Sequence, residues 1–219
     1  MYQNVIFDLD GTLLDSLQDL ANASNYICKQ NGWNCHSLEE YRYFVGNGIP
    51  KLCERFSPPE FRQEPTLSKT VAEFQAYYAL HKQDCTKPYP GIVEMLERCL
   101  TVGITIGVLT NKENTVAQSI VQHYFPDIFP FVQGALPNIP TKPNPEGLRH
   151  LMARMGASLS NTLFVGDSNV DIFTANNGGL DSCGVLWGFR TQEELQQAGC
   201  TYIASNAQEL WDVITQKAF

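Results

Sequence analysis

The stretch Val5-Ile6-Phe7-Asp8-Leu9-Asp10-Gly11-Thr12 decides how this chain is read. Its first three residues, two of them β-branched and one aromatic, form an apolar run short enough to be a buried strand. The run stops at Asp8, and a second carboxylate follows two residues later. In an extended segment both side chains share one face. Like charges that close repel, so the pair calls for a bound cation or a shared proton. Gly11 allows a tight turn directly afterwards. An isolated Asp-Gly ends many strands in an ordinary turn. The whole string, behind its strand, points to chemistry instead.

Outward from this stretch the same arrangement recurs. A second apolar run, Ile104 to Leu109, stops at Thr110-Asn111-Lys112, and a third, Thr162 to Val165, stops at Gly166-Asp167. Cys183 to Trp187 and Tyr202 to Ala204 are weaker strand candidates. Between them, apolar residues recur at three- and four-residue spacing. The sets are Ile92, Met95, Leu96, Cys99 and Leu100; Val116, Ile120, Val121 and Tyr124; Leu148, Leu151, Met152 and Met155; and Leu210, Val213 and Ile214. Strands alternating with helices predict an α/β fold with a parallel sheet covered on both faces. Ligands of such sheets sit beyond the carboxyl ends of the strands, which makes the polar residues ending the three runs neighbours in space.

Residues 16–87 read differently. Leu17, Leu20, Ser24 and Ile27 have helical spacing, as do Val71, Phe74, Tyr77 and Tyr78, and no convincing strand is present. Pro58, Pro59 and Pro65 interrupt the middle, and Lys87-Pro88-Tyr89-Pro90-Gly91 is a rigid, turn-prone exit. The expected organisation is a core of residues 1–15 and 88–219, with a helical insertion over 16–87.

The remaining polar ends bear on chemistry. Thr110 and Asn111 offer a hydroxyl and an amide to an anion, or an N-cap to the helix of Val116 and Ile120; a helix N-terminus can do both. Lys142 precedes Pro143-Asn144-Pro145, a rigid base for a lysine aimed into a cleft. Asp167 ends the third run and Asp171 falls one turn into the next helix. Oxygen donors of this kind suit Mg²⁺.

Composition narrows the partners. The 219 residues carry 15 Lys plus Arg and 23 Asp plus Glu, a net charge of −8. That balance argues against sequence-independent binding to nucleic acid or to an anionic membrane. Seven cysteines with no Cys-x-x-Cys pair read as free buried thiols in a reducing cytosol. The first residues lack a signal-peptide pattern, and no apolar run approaches the ~20 residues that span a bilayer. A cytoplasmic protein is expected.

Together the four polar elements resemble the haloacid dehalogenase superfamily of phosphohydrolases, above all in the string from Asp8-Leu9-Asp10-Gly11-Thr12 to Leu13-Leu14-Asp15-Ser16. The resemblance implies a Rossmann-like core with a helical cap inserted after the first motif. It implies that Asp8 is the nucleophile that takes the phosphoryl group and Asp10 the general acid–base. Thr110 and Lys142 would contact phosphoryl oxygens. Asp167 would complete a Mg²⁺ site with Asp8 and the backbone carbonyl of Asp10, while Asp171 supports the metal's water shell or Lys142. Within the family, Thr110-Asn111-Lys112 and the cap segment Phe44-Val45-Gly46-Asn47-Gly48, followed by Lys51, look like phosphoglycolate phosphatases. On that reading Asn111, Arg42, Gly46, Asn47, Gly48 and Lys51 contact a small carboxylated phosphate monoester, and the chain acts as a monomer or homodimer. The alternatives are a mutase similar to the β-phosphoglucomutases, or an inactive binding protein on the same fold.

Overall fold

The computed structural model describes residues 1–216. The chain divides into two compact units, Met1–Leu14 with everything from Pro88 onward, and Asp15–Lys87. The strands are β1 (Asn4–Phe7), β2 (Leu14–Asp15), β3 (Lys87–Pro88), β4 (Thr105–Glu113), β5 (Phe131–Ala135), β6 (Thr162–Gly166), β7 (Asp181–Val185) and β8 (Tyr202–Ala204). Six of them form one sheet in the order β5-β4-β1-β6-β7-β8, with every neighbouring pair parallel. The short strands β2 and β3 pair with each other where the chain leaves the first unit and returns to it.

Central placement follows from the apolar run. Asn4 to Phe7 are all buried, and alternate side chains enter different clusters. Val5 and Phe7 pack with Val108 and Val165 on one face, and Ile6 packs with Leu109, Leu148 and Phe164 on the other. A strand apolar on both faces can only be covered on both.

Four helices build the second unit: α1 (Leu17–Gln30), α2 (Leu38–Phe44), α3 (Ile49–Phe56) and α4 (Thr66–His81). Asp19 of α1 is buried there and accepts hydrogen bonds from the backbone N–H groups of Cys85 and Thr86 and from the Thr86 hydroxyl. That satisfies a carboxylate that burial would otherwise penalise. Between α2 and α3, Arg55 donates to the carbonyls of Tyr43 (3.2 Å) and Phe44 (2.7 Å) and to Asn47 Oδ1 (2.9 Å). A side chain from α3 thus pins the turn Gly46-Asn47-Gly48.

The first unit carries α5 (Ile92–Thr101), α6 (Asn114–Tyr124), α7 (Glu146–Met155), α8 (Asn169–Gly178), α9 (Gln192–Gln197) and α10 (Ala207–Thr215). The apolar stripes of α5, α6 and α10 enter the cluster of Val5 and Phe7 and that of α7 the cluster of Ile6, while α8 gives Ala175 to the Ile6 cluster and Ile172 to a smaller one with Leu195 and Ala198. No helix among the described residues is long and apolar enough to cross a membrane.

Three features differ from expectation. Phe131–Ala135 is an edge strand, masked in sequence because Gln133 and Gly134 break its apolar run. The strand after Ile104 does not stop at Thr110: β4 runs on to Glu113 through an irregularity that sets four residues of β4 against two of β5. The cap of α6 is accordingly Glu113, whose carboxylate accepts from the N–H groups of Thr115 and Val116, rather than Thr110 or Asn111. The cysteines are free, but Cys35 and Cys85 are exposed rather than buried.

Candidate active site

Register brings the polar run-ends together. Phe7 on β1 pairs with Val108 on β4 and with Val165 on β6. Because all three strands point the same way, the residues that follow each pair emerge at one edge: Asp8, then Leu109-Thr110, then Gly166-Asp167. The N–H of Asp8 still bonds to the carbonyl of Val165 (2.9 Å), so Asp8 is held at that edge by backbone.

Lys142 lies at the centre. Its Nζ donates to Asp8 Oδ1 at 2.7 Å and to Asp171 Oδ1 at 2.6 Å, with all three residues buried. The other Asp171 oxygen accepts from the N–H and the hydroxyl of Ser168 at the start of α8. Asp171 therefore anchors the ammonium. Lys142 reaches the centre because Asn111 grips its backbone: Lys142 N–H donates to Asn111 Oδ1 (2.8 Å), and Asn111 Nδ2 donates to the Lys142 carbonyl (3.1 Å). Asn111 was expected among the substrate contacts. In the structure its amide bonds the backbone of residue 142 and fixes the lysine loop, at the irregularity of β4.

Asp167 is fixed from both sides. Phe189 N–H donates to its Oδ2 at 2.8 Å and the Thr12 hydroxyl to its Oδ1 at 3.3 Å. Trp187 Nε1 donates to the Thr12 carbonyl, tying the turn after Gly11 to the segment after β7. Two glycines leave room for this carboxylate. Gly11 has φ +89°, and a Cβ there would collide with the Asp167 carboxylate. A Cβ on Gly188 would collide with the Asp167 side chain and the Gly11 carbonyl oxygen. Neither obstacle can move freely, so Gly188→Ala is expected to destabilise the protein by about 1–3 kcal/mol and to weaken any metal held by Asp167. Thermal melts with and without Mg²⁺ check this; an unchanged melt would mean that the loop yields.

The electrostatics are unbalanced. Asp8, Asp167 and Asp171 each offer an oxygen within 4.8 Å of the others, with Lys142 between two of them. Burial pushes the Asp8 carboxyl up to about 7, against the pull of Lys142, and Asp171 and Asp10 add to the rise. Burial, then the charges of Asp171 and Asp8, hold Asp167 well above the ordinary range. Lys142 is pulled down by burial, but Asp171 and Asp8 outweigh that and raise it. Three acids and one lysine leave surplus negative charge in a dry site. Hard oxygen donors with that surplus fit a small divalent cation such as Mg²⁺.

Asp10 is differently engaged. Its Oδ2 lies 3.0 Å from Lys112 Nζ, an ion pair whose side chains are 14% and 3% exposed. Thr110 is buried at the end of β4, and its hydroxyl accepts from the Lys112 N–H (3.2 Å). The first unit thus brings together Asp8, Asp10, Thr110, Asn111, Lys142, Asp167 and Asp171. Arg42, Gly46, Asn47, Gly48 and Lys51 lie in the second unit, where Arg42 pairs with Glu39 (3.4 Å) and Lys51 with Glu54 (2.8 Å). Sequence reasoning missed Lys112, Phe189 and Gly188 as site residues. Gly188, set among aromatics just past a buried strand, follows the same run-then-glycine pattern as Gly11 and Gly166 and was the available signal.

The family model for haloacid dehalogenase-like hydrolases matches residues 5–185. A phosphoglycolate phosphatase of Vibrio parahaemolyticus is 33% identical, over 98% of this chain and 96% of its own length. One from Neisseria meningitidis is also 33% identical, over 91% of this chain and 86% of its own. The crystal structure of a candidate phosphoglycolate phosphatase from Lactobacillus delbrueckii superposes with a TM-score of 0.91 at 31% identity, covering 97% of this chain and 98% of that one. The chain therefore belongs to the haloacid dehalogenase-like hydrolases and is a phosphoric monoester hydrolase.

Proposed function

We propose that this hydrolase is a Mg²⁺-dependent phosphatase that acts on a small carboxylated monoester of the phosphoglycolate type and forms an aspartyl phosphate on Asp8. The observation that carries the reading is Lys142 Nζ set between Asp8 and Asp171 at the end of the central strand. A carboxylate attacking a phosphoester dianion meets repulsion, and a buried ammonium beside the attacking oxygen offsets it. Mg²⁺, held by Asp8, Asp167 and the Asp10 carbonyl, would supply further charge neutralisation on the phosphoryl oxygens.

In the first step an Asp8 oxygen forms a bond to phosphorus as the ester bond breaks. Asp10 gives its proton to the departing oxygen. In the second step a water attacks the same phosphorus, its proton passes to Asp10, and the acyl–phosphate bond breaks to free Asp8 and inorganic phosphate. Thr110 and Lys142 hold phosphoryl oxygens through both steps. The helical unit, through Gly46-Asn47-Gly48 with Arg42 and Lys51 nearby in sequence, is assigned a part in choosing the substrate.

Phosphate release from a panel of small phosphoesters tests the reading. Phosphoglycolate is expected to rank above neutral esters, with release abolished by chelator. An isomerised phosphosugar without phosphate release would establish a mutase, and no turnover of any ester an inactive protein.

The metal also has a stability signature. A carboxyl whose folded pKa exceeds its unfolded value destabilises the fold as pH rises between the two. For Asp8 that window runs from 3.8 to about 7. The metal-free protein is therefore penalised most above the window, where a bound cation relieves the charge. The melting temperature should rise more on adding Mg²⁺ at pH 7.5 than at pH 5. A Mg²⁺ effect equal at both values, or none, would contradict the assignment.

A further inference from the structure

We propose that Lys112, in the core, is the residue that selects an acidic leaving group by pairing with its carboxylate. This rests on the phosphatase reading above and deepens it.

The core places two buried lysines at the candidate site, and their partners differ. Lys142 is bonded to Asp8 and Asp171, the nucleophile and its own anchor, so its charge serves the phosphoryl group. Lys112 lies 3.0 Å from Asp10 Oδ2. In the proposed mechanism Asp10 is the group that faces the departing oxygen. A cation held against that carboxylate stands on the leaving-group side of phosphorus, not on the phosphoryl side.

The spacing suits a short acid. A general acid must lie within about 2.6–3.2 Å of the oxygen it protonates. In a two-carbon leaving group, one methylene separates that oxygen from the carboxylate. An anion so close to the ester oxygen falls within reach of an ammonium that already touches Asp10. A neutral or cationic substituent would leave that ammonium facing no new partner, or a repelling one.

Local structure explains how the side chain reaches this position. Between Leu109 and Glu113, β4 advances four residues while β5 advances two. Such irregularities re-aim side chains beside active sites. Here Asn111 turns to the backbone of residue 142 and Lys112 to Asp10. Burial adds to the case against the cap cations. The Lys112 side chain is 3% exposed, that of Lys51 45% and that of Arg42 41%. A charge-assisted bond in a dry site discriminates between ligands far better than one in water.

The experiment measures kcat/KM for phosphoglycolate, ethyl phosphate and phosphoethanolamine. These three esters share a two-carbon leaving group and carry a negative, neutral or positive end. Wild type, Lys112→Met, Lys112→Arg, Arg42→Ala and Lys51→Ala are compared with Mg²⁺ present. Each ratio of two substrates is taken within one preparation, so it is independent of the fraction that is folded. Lys112 touches Asp10, so Lys112→Met is expected to slow all three esters. The preference for phosphoglycolate over ethyl phosphate should also fall about 10- to 100-fold, chiefly through KM, and the bias against phosphoethanolamine should relax. Lys112→Arg should keep most of the preference, which serves as the readout if the methionine variant does not fold. An unchanged ratio in Lys112→Met, or a preference lost only in Arg42→Ala or Lys51→Ala, would overturn the proposal while leaving the phosphatase reading intact. A wild type that does not prefer phosphoglycolate would overturn both.

Discussion

Asp8→Asn is expected to lower kcat by on the order of 10⁵- to 10⁶-fold, the loss seen when a covalent nucleophile is removed. The amide is nearly isosteric with the carboxylate, and its oxygen can still accept the bond from Lys142 that Asp8 Oδ1 accepts at 2.7 Å. What it lacks is the second, negatively charged oxygen that attacks phosphorus. The fold should survive and can gain stability, because burial raises the Asp8 carboxyl and the neutral amide escapes that penalty. Steady-state phosphate release paired with a thermal melt checks both halves. Activity within tenfold of wild type would remove Asp8 from the chemistry, and a collapsed melt would make its role structural.

Lys142→Met should damage stability and turnover together. Asp8 and Asp171 are both buried and both bonded to the ammonium, so the variant leaves two buried carboxylates without their shared partner. Breaking a buried ion pair on one side costs about 3–5 kcal/mol. The sign with pH follows from the acids. Without the cation, Asp8 loses the charge that holds its raised pKa down, so the penalty grows as pH rises and shrinks once Asp8 is protonated. Denaturant titrations at pH 5 and pH 8 should show the larger loss at pH 8. Turnover should fall by on the order of 10²-fold or more, as when one charge-stabilising donor is removed from an active site. A variant as stable as wild type at pH 8 would mean that solvent reaches the acids.

The sequence made one edge of this molecule legible and hid its supports. Asp8, Asp167 and Thr110 stood out because each ends an apolar run that has no reason to stop at a polar residue. Parallel pairing then makes run-ends into neighbours, and the register of Phe7 with Val108 and Val165 does so here. Lys112 was hidden because periodicity predicts a strand that ends where its apolar residues end. β4 instead continues through an irregular polar segment whose side chains are satisfied by distant partners, Asp10 and the backbone of Lys142. Long-range bonds of that kind leave no local pattern. The same holds for the Phe189 N–H on Asp167 and for Arg55 pinning the turn at Asn47. The edge strand Phe131–Ala135 was lost for a different reason: an edge needs less apolar surface, and here the buried positions are Gln133 and Gly134 while Phe131 and Val132 are only partly buried.

The account turns on phosphorus being passed to Asp8 before it reaches water. The stereochemical course at phosphorus tests this most directly, using a substrate ester made chiral there with sulfur and isotopic oxygens. Each in-line displacement inverts configuration, so transfer to Asp8 followed by hydrolysis predicts net retention. Net inversion would show water attacking the ester in a single step and would contradict the aspartyl phosphate.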